Sequence, residues 1–451
     1  MLVLISDLHF TDGTSGEAVR AGAFKLFRER LRDLAYDASW RANGRYEPIE
    51  RVDLVLLGDI LDVIRSTKWL TGTVRPWSNW KSQAFKNKVR TITEAILDKN
   101  KESLGCLKSL QDPKVLTIPD ATRTGRPKRV ERDPEATGRL PVQVRVHYMV
   151  GNHDWFYHLP GASYNRLRQK IVDALGLSNS PNEPLAHEPG ESPTIRDLLA
   201  EHRVFARHGD VFDPFNYEGD RNASSLGDAI VVELLNRFPS EVERQMGRQL
   251  PQECLDGLKE VDNVRPLMII PGWIEGLLQR TCPDPGQAQR VKGLWDDLAD
   301  EFLKLSFVRE RDKRFKIDLV DKLQAALKFS QSVSLRILGR LPIWLDELVA
   351  SKPSYEHALG EQAFKNRTAR CVVYGHTHRH EVVPLDSCFM AQGLLNQRYV
   401  NSGTWRRVQE RARWRPQEQE FMGCYVMTYV AVFRDNERGG RTLETWSGVL
   451  G

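Results

Sequence analysis

Five short apolar runs, each ending in polar residues of the kind that hold metals, constrain this chain more than any other feature. They are LVLI before Ser6-Asp7-Leu8-His9, VDLVLL before Gly58-Asp59, VRVHYMV before Gly151-Asn152-His153-Asp154, RVFA before Arg207-His208-Gly209-Asp210, and CVVY before Gly375-His376-Thr377-His378. Their length and β-branched content read as strands, and open α/β sheets build their sites where strands end. One such coincidence carries little information. Five in one chain predict loops that converge on a single site.

Apolar spacing fills in the rest. Residues 18–46 carry Ala21, Phe24, Phe27, Leu31 and Leu34 at intervals of three or four, which predicts a crossover helix between the first two strands. A second helix is expected over 81–99, with Ala84, Phe85, Val89, Ile92 and Ile96 as its stripe. Residues 121–139 lack periodicity and read as a loop, and Arg123, Arg126, Lys128, Arg129 and Arg132 make it either a solvated surface or a clamp for an anionic substrate. More than 150 residues separate the fourth strand from the fifth; they have helical spacing broken by Pro266, Pro271, Pro283, Pro285 and Pro342. A mainly helical insertion is therefore expected at 221–363, interrupting a core made of 1–220 and 364–451. Its segment LMIIPGWIEGLL, with Leu267, Met268, Ile269, Ile270, Trp273, Ile274, Leu277 and Leu278, either packs inside the insertion or offers an apolar surface to lipid or a protein partner. After 364 the runs QRYVNSG, CYVMTYVAVF and RTLETWSG predict further strands.

The polar residues define the chemistry. Asp7, His9, Asp59, Asn152, His208, His376 and His378 form an oxygen and imidazole set suited to Mn²⁺, Fe, Zn²⁺ or Co²⁺. Seven groups exceed one tetrahedral zinc and suffice for two cations sharing one carboxylate. His153, beside a candidate ligand, is left as a proton donor to a leaving group, with Asp154 as its orienting partner.

These motifs in this order resemble the calcineurin-like metallophosphoesterase superfamily, over about 1–215 and 364–451. The resemblance implies an α/β fold of two β-sheets packed face to face and flanked by helices. It implies that Asp7, His9 and His378 hold one metal, that Asn152, His208 and His376 hold the second, and that Asp59 bridges them. It also implies that His153 faces the leaving group and that the reaction is hydrolysis of phosphomonoesters, phosphodiesters or pyrophosphates, with two divalent cations as cofactors and Mn²⁺ the leading candidate. His208-Gly209-Asp210 followed by Gly375-His376-Thr377-His378 is most similar to the branch of UDP-diacylglucosamine pyrophosphate hydrolases. Members of that branch are shorter, have a smaller cap, and commonly have Arg where this chain has His153.

Other polar residues read as support. Asp62 is expected beside the site or at a helix start, His158, His187 and His202 at the surface or behind the ligands, His380 as an ordinary packed histidine, and Asn401-Ser402-Gly403 as a turn near the site.

Composition narrows the alternatives. With 65 Lys plus Arg against 60 Asp plus Glu, the formal charge of +5 over 451 residues provides no field that would mark a nucleic-acid binder. A nuclease would have to use the basic loop with Trp69, Trp77 and Trp80 as stacking platforms, and a non-catalytic scaffold would have no need of the whole ligand set. The substrate expected is instead a small-molecule, nucleotide or lipid-linked phosphoester. Six cysteines without a CxxC pair suggest a reducing compartment, and no apolar run is long enough to span a bilayer. The expected location is cytoplasmic, with a peripheral membrane contact through the insertion as one reading; the oligomeric state is left open.

Overall fold

The computed structural model describes residues 1–451 apart from 17–18, 130–136, 266–268, 313–319, 322, 325–326, 328–351, 392, 413, 415–419 and 451. All five apolar runs are strands: β1 (Leu2–Ile5), β2 (Arg51–Leu57), β5 (Gln143–Met149), β6 (Val204–Ala206) and β7 (Cys371–Tyr374). The short pair β3 (Thr117–Pro119) and β4 (Arg139–Pro141) brackets the basic loop, and the tail adds β8 (Glu381–Met390), β9 (Gly393–Asn401), β10 (Arg407–Arg411), β11 (Phe421–Val432) and β12 (Leu443–Leu450).

Two mixed sheets result. In the first, β1 pairs in parallel with β2, and β2 with β5, while β11 runs antiparallel to β1, β10 and β12. The second has the order β6-β7-β9-β8, parallel except for β8 against β9. Strand pleating sends alternate side chains to opposite faces. Leu2, Leu4, Val55, Leu57, Val430 and Val432 therefore meet Val204, Ala206, Val373 and Val400 of the second sheet in one apolar layer. Val3, Ile5, Leu54, Leu56 and Val146 face the other way, onto the helices. Both faces of β1 are covered, which is why its sequence is continuously apolar.

The predicted helices form as α1 (Ala21–Ala38) and α2 (Gln83–Lys99), followed by α3 (Lys101–Ser109), α4 (Ala162–Leu175) and α5 (Pro193–Glu201). Ser82 starts α2 by accepting the Phe85 amide, 3.2 Å away. Together, α1 to α4 cover the outer face of the first sheet.

Where described, the insertion is helical, as expected: α6 (Leu226–Ile230), a π-helical stretch at Val231–Asn236, α7 (Arg237–Met246), α8 (Gln252–Leu258), α9 (Ile270–Thr281) and α10 (Pro285–Lys304). Its apolar residues share one cluster with those of the first sheet and its helices. Polar contacts fasten the joint. Buried Glu233 in the π-helical stretch pairs with Arg75 at 2.5 Å, and Asn236 donates to the Ile64 carbonyl at 2.9 Å. Ile270, Trp273, Ile274, Leu277 and Leu278 of the apolar segment are buried, so the packed reading holds for them; Leu267 and Met268 lie outside the described residues. Among the described residues no helix is long and apolar enough to cross a membrane.

Two surface readings are corrected. Trp69 is wholly buried, stacked on Phe156 with its indole N–H on the Val63 carbonyl, and Trp77 stacks on Phe307, so neither is a free platform for bases. His187 and His202 are also buried, which removes the surface half of their reading: His187 packs against the His158 ring, and His202 ends α5 with Nδ1 3.1 Å from the Leu198 carbonyl. The basic loop is solvated where described: Arg123, Arg126 and Arg129 are exposed, Lys128 pairs with Asp120, and Arg132 lies outside the described residues.

Burial of His202 makes an acid-stability prediction. Burial, with the N-terminal ammonium second, lowers its pKa from 6.5 to about 4. Between those values the unfolded chain binds the extra proton, so stability falls as pH drops from about 6.5 to about 4, by about 3 kcal/mol in total from this group. In chelator, His202→Gln should flatten the loss of urea midpoint between pH 7.5 and pH 5; parallel curves for variant and parent would remove His202 as the cause.

Candidate metal centre

Parallel pairing puts the carboxyl ends of β1, β2 and β5 along one edge, and the loops beyond them zip together. The Asp7 amide donates to the Gly58 carbonyl at 3.1 Å and the His9 amide to the Asp59 carbonyl at 2.9 Å. The second sheet brings His208 and the 375–378 loop to the same edge. Asp7, His9, Asp59, His376 and His378 all have positive φ, and they are five of the eight described non-glycine residues that do. Left-handed backbone is costly for such residues and gathers where function over-determines the chain.

The side chains fall into two adjoining groups. In the first, Asp7 Oδ1 lies 3.2 Å from His378 Nε2 and 3.7 Å from His9 Nε2, and the two Nε2 atoms are 3.0 Å apart. His9 Nδ1 sits 2.6 Å from Asp62 Oδ2, which places the ring proton there and leaves the Nε2 lone pair facing the group. In the second, Asp59 Oδ2 is 3.2 Å from His208 Nε2, which is 3.2 Å from Asn152 Oδ1, and His376 completes the set. His208 Nδ1 points at the Leu57 carbonyl at 2.9 Å, fixing the same tautomer. One oxygen, Asp59 Oδ2, faces both groups, since it is also 3.7 Å from His9 Nε2.

This donor set fits divalent cations. Lone pairs of buried imidazoles converge on carboxylate oxygens, and Asp7 Oδ1 is buried without a hydrogen-bond donor among the described residues. Burial opposes charge on Asp7, Asp59 and Asp62, yet the facing histidines hold all three carboxyls below the usual range. On His208 burial is likewise overcome, chiefly by Asp59 and Asp7, which push its pKa up to about 10.

All seven predicted ligands therefore come together, but the partner assigned to His153 is corrected. Its Nδ1 lies 2.8 Å from Asp62 Oδ1, and Asp62 thus holds His9 and His153 at once. Burial disfavours charge on His153, but Asp62 and Asp59 outweigh it and raise the pKa to about 9. The Asp154 carboxylate turns back beneath the loops, accepting the Gly151 and Ile60 amides at 2.6 and 2.8 Å and the Tyr148 hydroxyl at 2.5 Å. It holds the strand ends in place and does not touch the His153 ring.

Asp213 and Asn216 also belong to the site. Asp213 Oδ2 lies 2.9 Å from His376 Nε2, and Asn216 Oδ1 accepts from Asn152 Nδ2 at 3.2 Å, turning the Asn152 oxygen toward His208. The only sequence signal for them is their place just after His208-Gly209-Asp210. The Asn401-Ser402-Gly403 turn supports the centre: Asn401 Nδ2 donates to the Gly375 carbonyl at 2.8 Å, and the Ser6 and Ser402 hydroxyls are 2.7 Å apart. His380 rests on the Asn401 carbonyl at 2.8 Å, an ordinary packed role.

Close approach explains Gly151. A Cβ there would stand 2.4 Å from Asp59 Oδ1 and 2.7 Å from the His208 ring. Gly151→Ala should therefore displace both side chains and weaken binding of Mn²⁺ by roughly tenfold or more, read by calorimetric titration; unchanged affinity would mean that the groups relax freely.

The chain matches no protein-family model and no curated protein. Two mixed sheets flanked by helices, with clustered His and Asp side chains, suggest a metallophosphoesterase-like dinuclear site and a metal-dependent hydrolase fold. No match supports any one branch of that superfamily.

Proposed function

We propose that the protein is a dinuclear metal-dependent phosphoester hydrolase, with Asp7, His9 and His378 holding one cation, Asn152, His208 and His376 the other, and Asp59 between them. The observation that carries this reading is Asp59 Oδ2, which faces both groups of imidazoles. Two divalent cations bound there would polarise a phosphoryl group and make water acidic enough to supply a nucleophile near neutral pH. Mn²⁺ suits the oxygen and imidazole donors.

His153 supplies the proton. With Nδ1 on Asp62, its Nε2 makes no hydrogen bond to a described residue and is available to the leaving oxygen. The raised pKa keeps that proton in place at neutral pH. Asp62 orients the ring, and its second bond to His9 locks the donor and a metal ligand into one frame.

The test is hydrolysis of bis(4-nitrophenyl) phosphate by protein stripped with chelator and then reconstituted. Turnover that vanishes on stripping and returns with Mn²⁺ is the expected result. Full activity in excess chelator, or no activity with any of Mn²⁺, Fe²⁺, Zn²⁺ or Co²⁺ on phosphomonoesters, phosphodiesters and pyrophosphates alike, would reject the reading.

A further inference from the structure

Beside the metal centre, where the insertion meets the core, three arginines from three parts of the chain crowd one carboxylate. Arg65 follows β2, Arg265 lies in the insertion, and Arg406 precedes β10. Asp262 Oδ2 is 2.8 Å from Arg65 Nε and 2.9 Å from Arg406 Nη2, so two guanidinium groups share a single oxygen. Arg406 also donates to Asn263 Oδ1, and Arg265 Nη1 donates to the Asp262 and Val264 carbonyls at 2.7 and 3.0 Å.

Among the described residues the other carboxylates near the cluster are Glu260, 3.8 Å from Arg407, Asp62, committed to His9 and His153, and Asp7, committed to the first metal group. Arg65 Nη1 and Nη2 and Arg406 Nη1 are buried without an acceptor, and among the described residues they are the only terminal guanidinium nitrogens in that condition. A buried charged donor left without an acceptor is costly.

Arg265 is the member at the mouth of the cluster, half-buried where the other two are closed in. Its Nη2 lies 3.4 Å from His378 Nδ1, on the opposite side of that ring from the Nε2 that faces Asp7. When Nε2 offers its lone pair to a metal, the neutral ring carries its proton on Nδ1. Two donors then face each other, and an oxyanion that both can reach satisfies them.

We propose that Arg265, backed by Arg65 and Arg406 and spaced by Asp262, is an oxyanion subsite for a second anionic group of the substrate, adjacent to the phosphoryl group being cleaved. This rests on the phosphoester reading of the metal centre. Arg265 meets the edge of His378 remote from the metal-facing nitrogen, so it serves a group beyond the reacting phosphorus. Planar guanidinium forks favour phosphate or carboxylate oxygens over neutral groups. The subsite joins insertion to core.

Two arms test it. In metal-stripped protein, calorimetric titration with methylenediphosphonate and with inorganic phosphate should show binding that Arg265→Gln weakens at least tenfold, and the diphosphonate should raise Tm by tightening the joint. In Mn²⁺-loaded protein, Arg265→Gln should lower kcat/KM about 10²-fold for a nucleoside diphosphate ester and no more than about fivefold for bis(4-nitrophenyl) phosphate. Arg65→Lys, which keeps the buried charge but not the fork, should fall between parent and Arg265→Gln. Equal losses on both esters, or no binding of either anion to stripped parent protein, would overturn the subsite. Inorganic phosphate binding as tightly as the diphosphonate, with equal losses on the esters, would assign the cluster to free phosphate. If no ester is hydrolysed while the anion arm succeeds, the phosphoesterase reading fails and the anion site stands.

Discussion

Replacing Asp59 with Asn should lower the tightly bound Mn²⁺ from two ions per chain to at most one and cut turnover on an activated phosphodiester by about 10³-fold. Asp59 Oδ2 is the one oxygen that faces His9 on one side and His208 on the other, at 3.7 and 3.2 Å. Its removal takes a charged ligand from both groups, whereas loss of Asn152, whose side chain bonds to His208 and Asn216, weakens one. A metal pair contributes several kcal/mol of charge stabilisation to phosphoryl transfer, which corresponds to about 10³ in rate. Elemental analysis of the reconstituted variant beside kcat checks both numbers. An Asp59→Asn protein that keeps two ions and a tenth or more of the parent rate would exclude bridging by this residue.

Asp62→Asn should be the next most damaging change, and in two ways at once. The amide cannot serve both His9 Nδ1 and His153 Nδ1 as a charged acceptor, so the metal ligand loses its anchor and the proton donor its orienting charge. Metal affinity of the first group should fall 10- to 100-fold and kcat on an alkyl phosphodiester 10²- to 10⁴-fold. With 4-nitrophenolate leaving, protonation matters less, and the loss in kcat at saturating metal should shrink. His153→Ala should reproduce the leaving-group dependence while retaining both ions. Asp154→Asn should behave differently. Its carboxylate holds the Gly151 and Ile60 amides and the Tyr148 hydroxyl, so its loss should appear as roughly 1–3 kcal/mol of stability with a smaller fall in kcat. An Asp154→Asn variant that shows the leaving-group dependence, with Asp62→Asn free of it, would reverse the assignment.

The contrast between Asp62 and Asp154 shows where sequence reading loses its hold. Strands and their terminal ligands were readable because hydrophobic runs are local and a buried strand can only end in a loop at the sheet edge. The ligand set followed from that edge, since β1, β2 and β5 are parallel neighbours. Adjacency then misled: Asp154 follows His153 in the chain, but in a tight turn consecutive side chains diverge, and Asp62 arrives from the loop after β2. Asp213 and Asn216 lie in an irregular turn with no periodicity to flag them. Trp69 sits in a stretch rich in polar residues, and only the packing of Phe85 and Phe156 around it reveals its burial. The joint of Arg65, Asp262, Arg265 and Arg406 depends on contacts across some 140 to 200 residues of chain, to which no local pattern points.

Anomalous diffraction from crystals of the Mn²⁺-loaded protein measures the metal centre most directly. Two peaks are expected, about 3.5–4 Å apart, one among Asp7, His9 and His378 and the other among Asn152, His208 and His376, with Asp59 Oδ2 between them. A single peak at full occupancy in an active crystal, or peaks away from these side chains, would contradict a dinuclear centre bridged by Asp59.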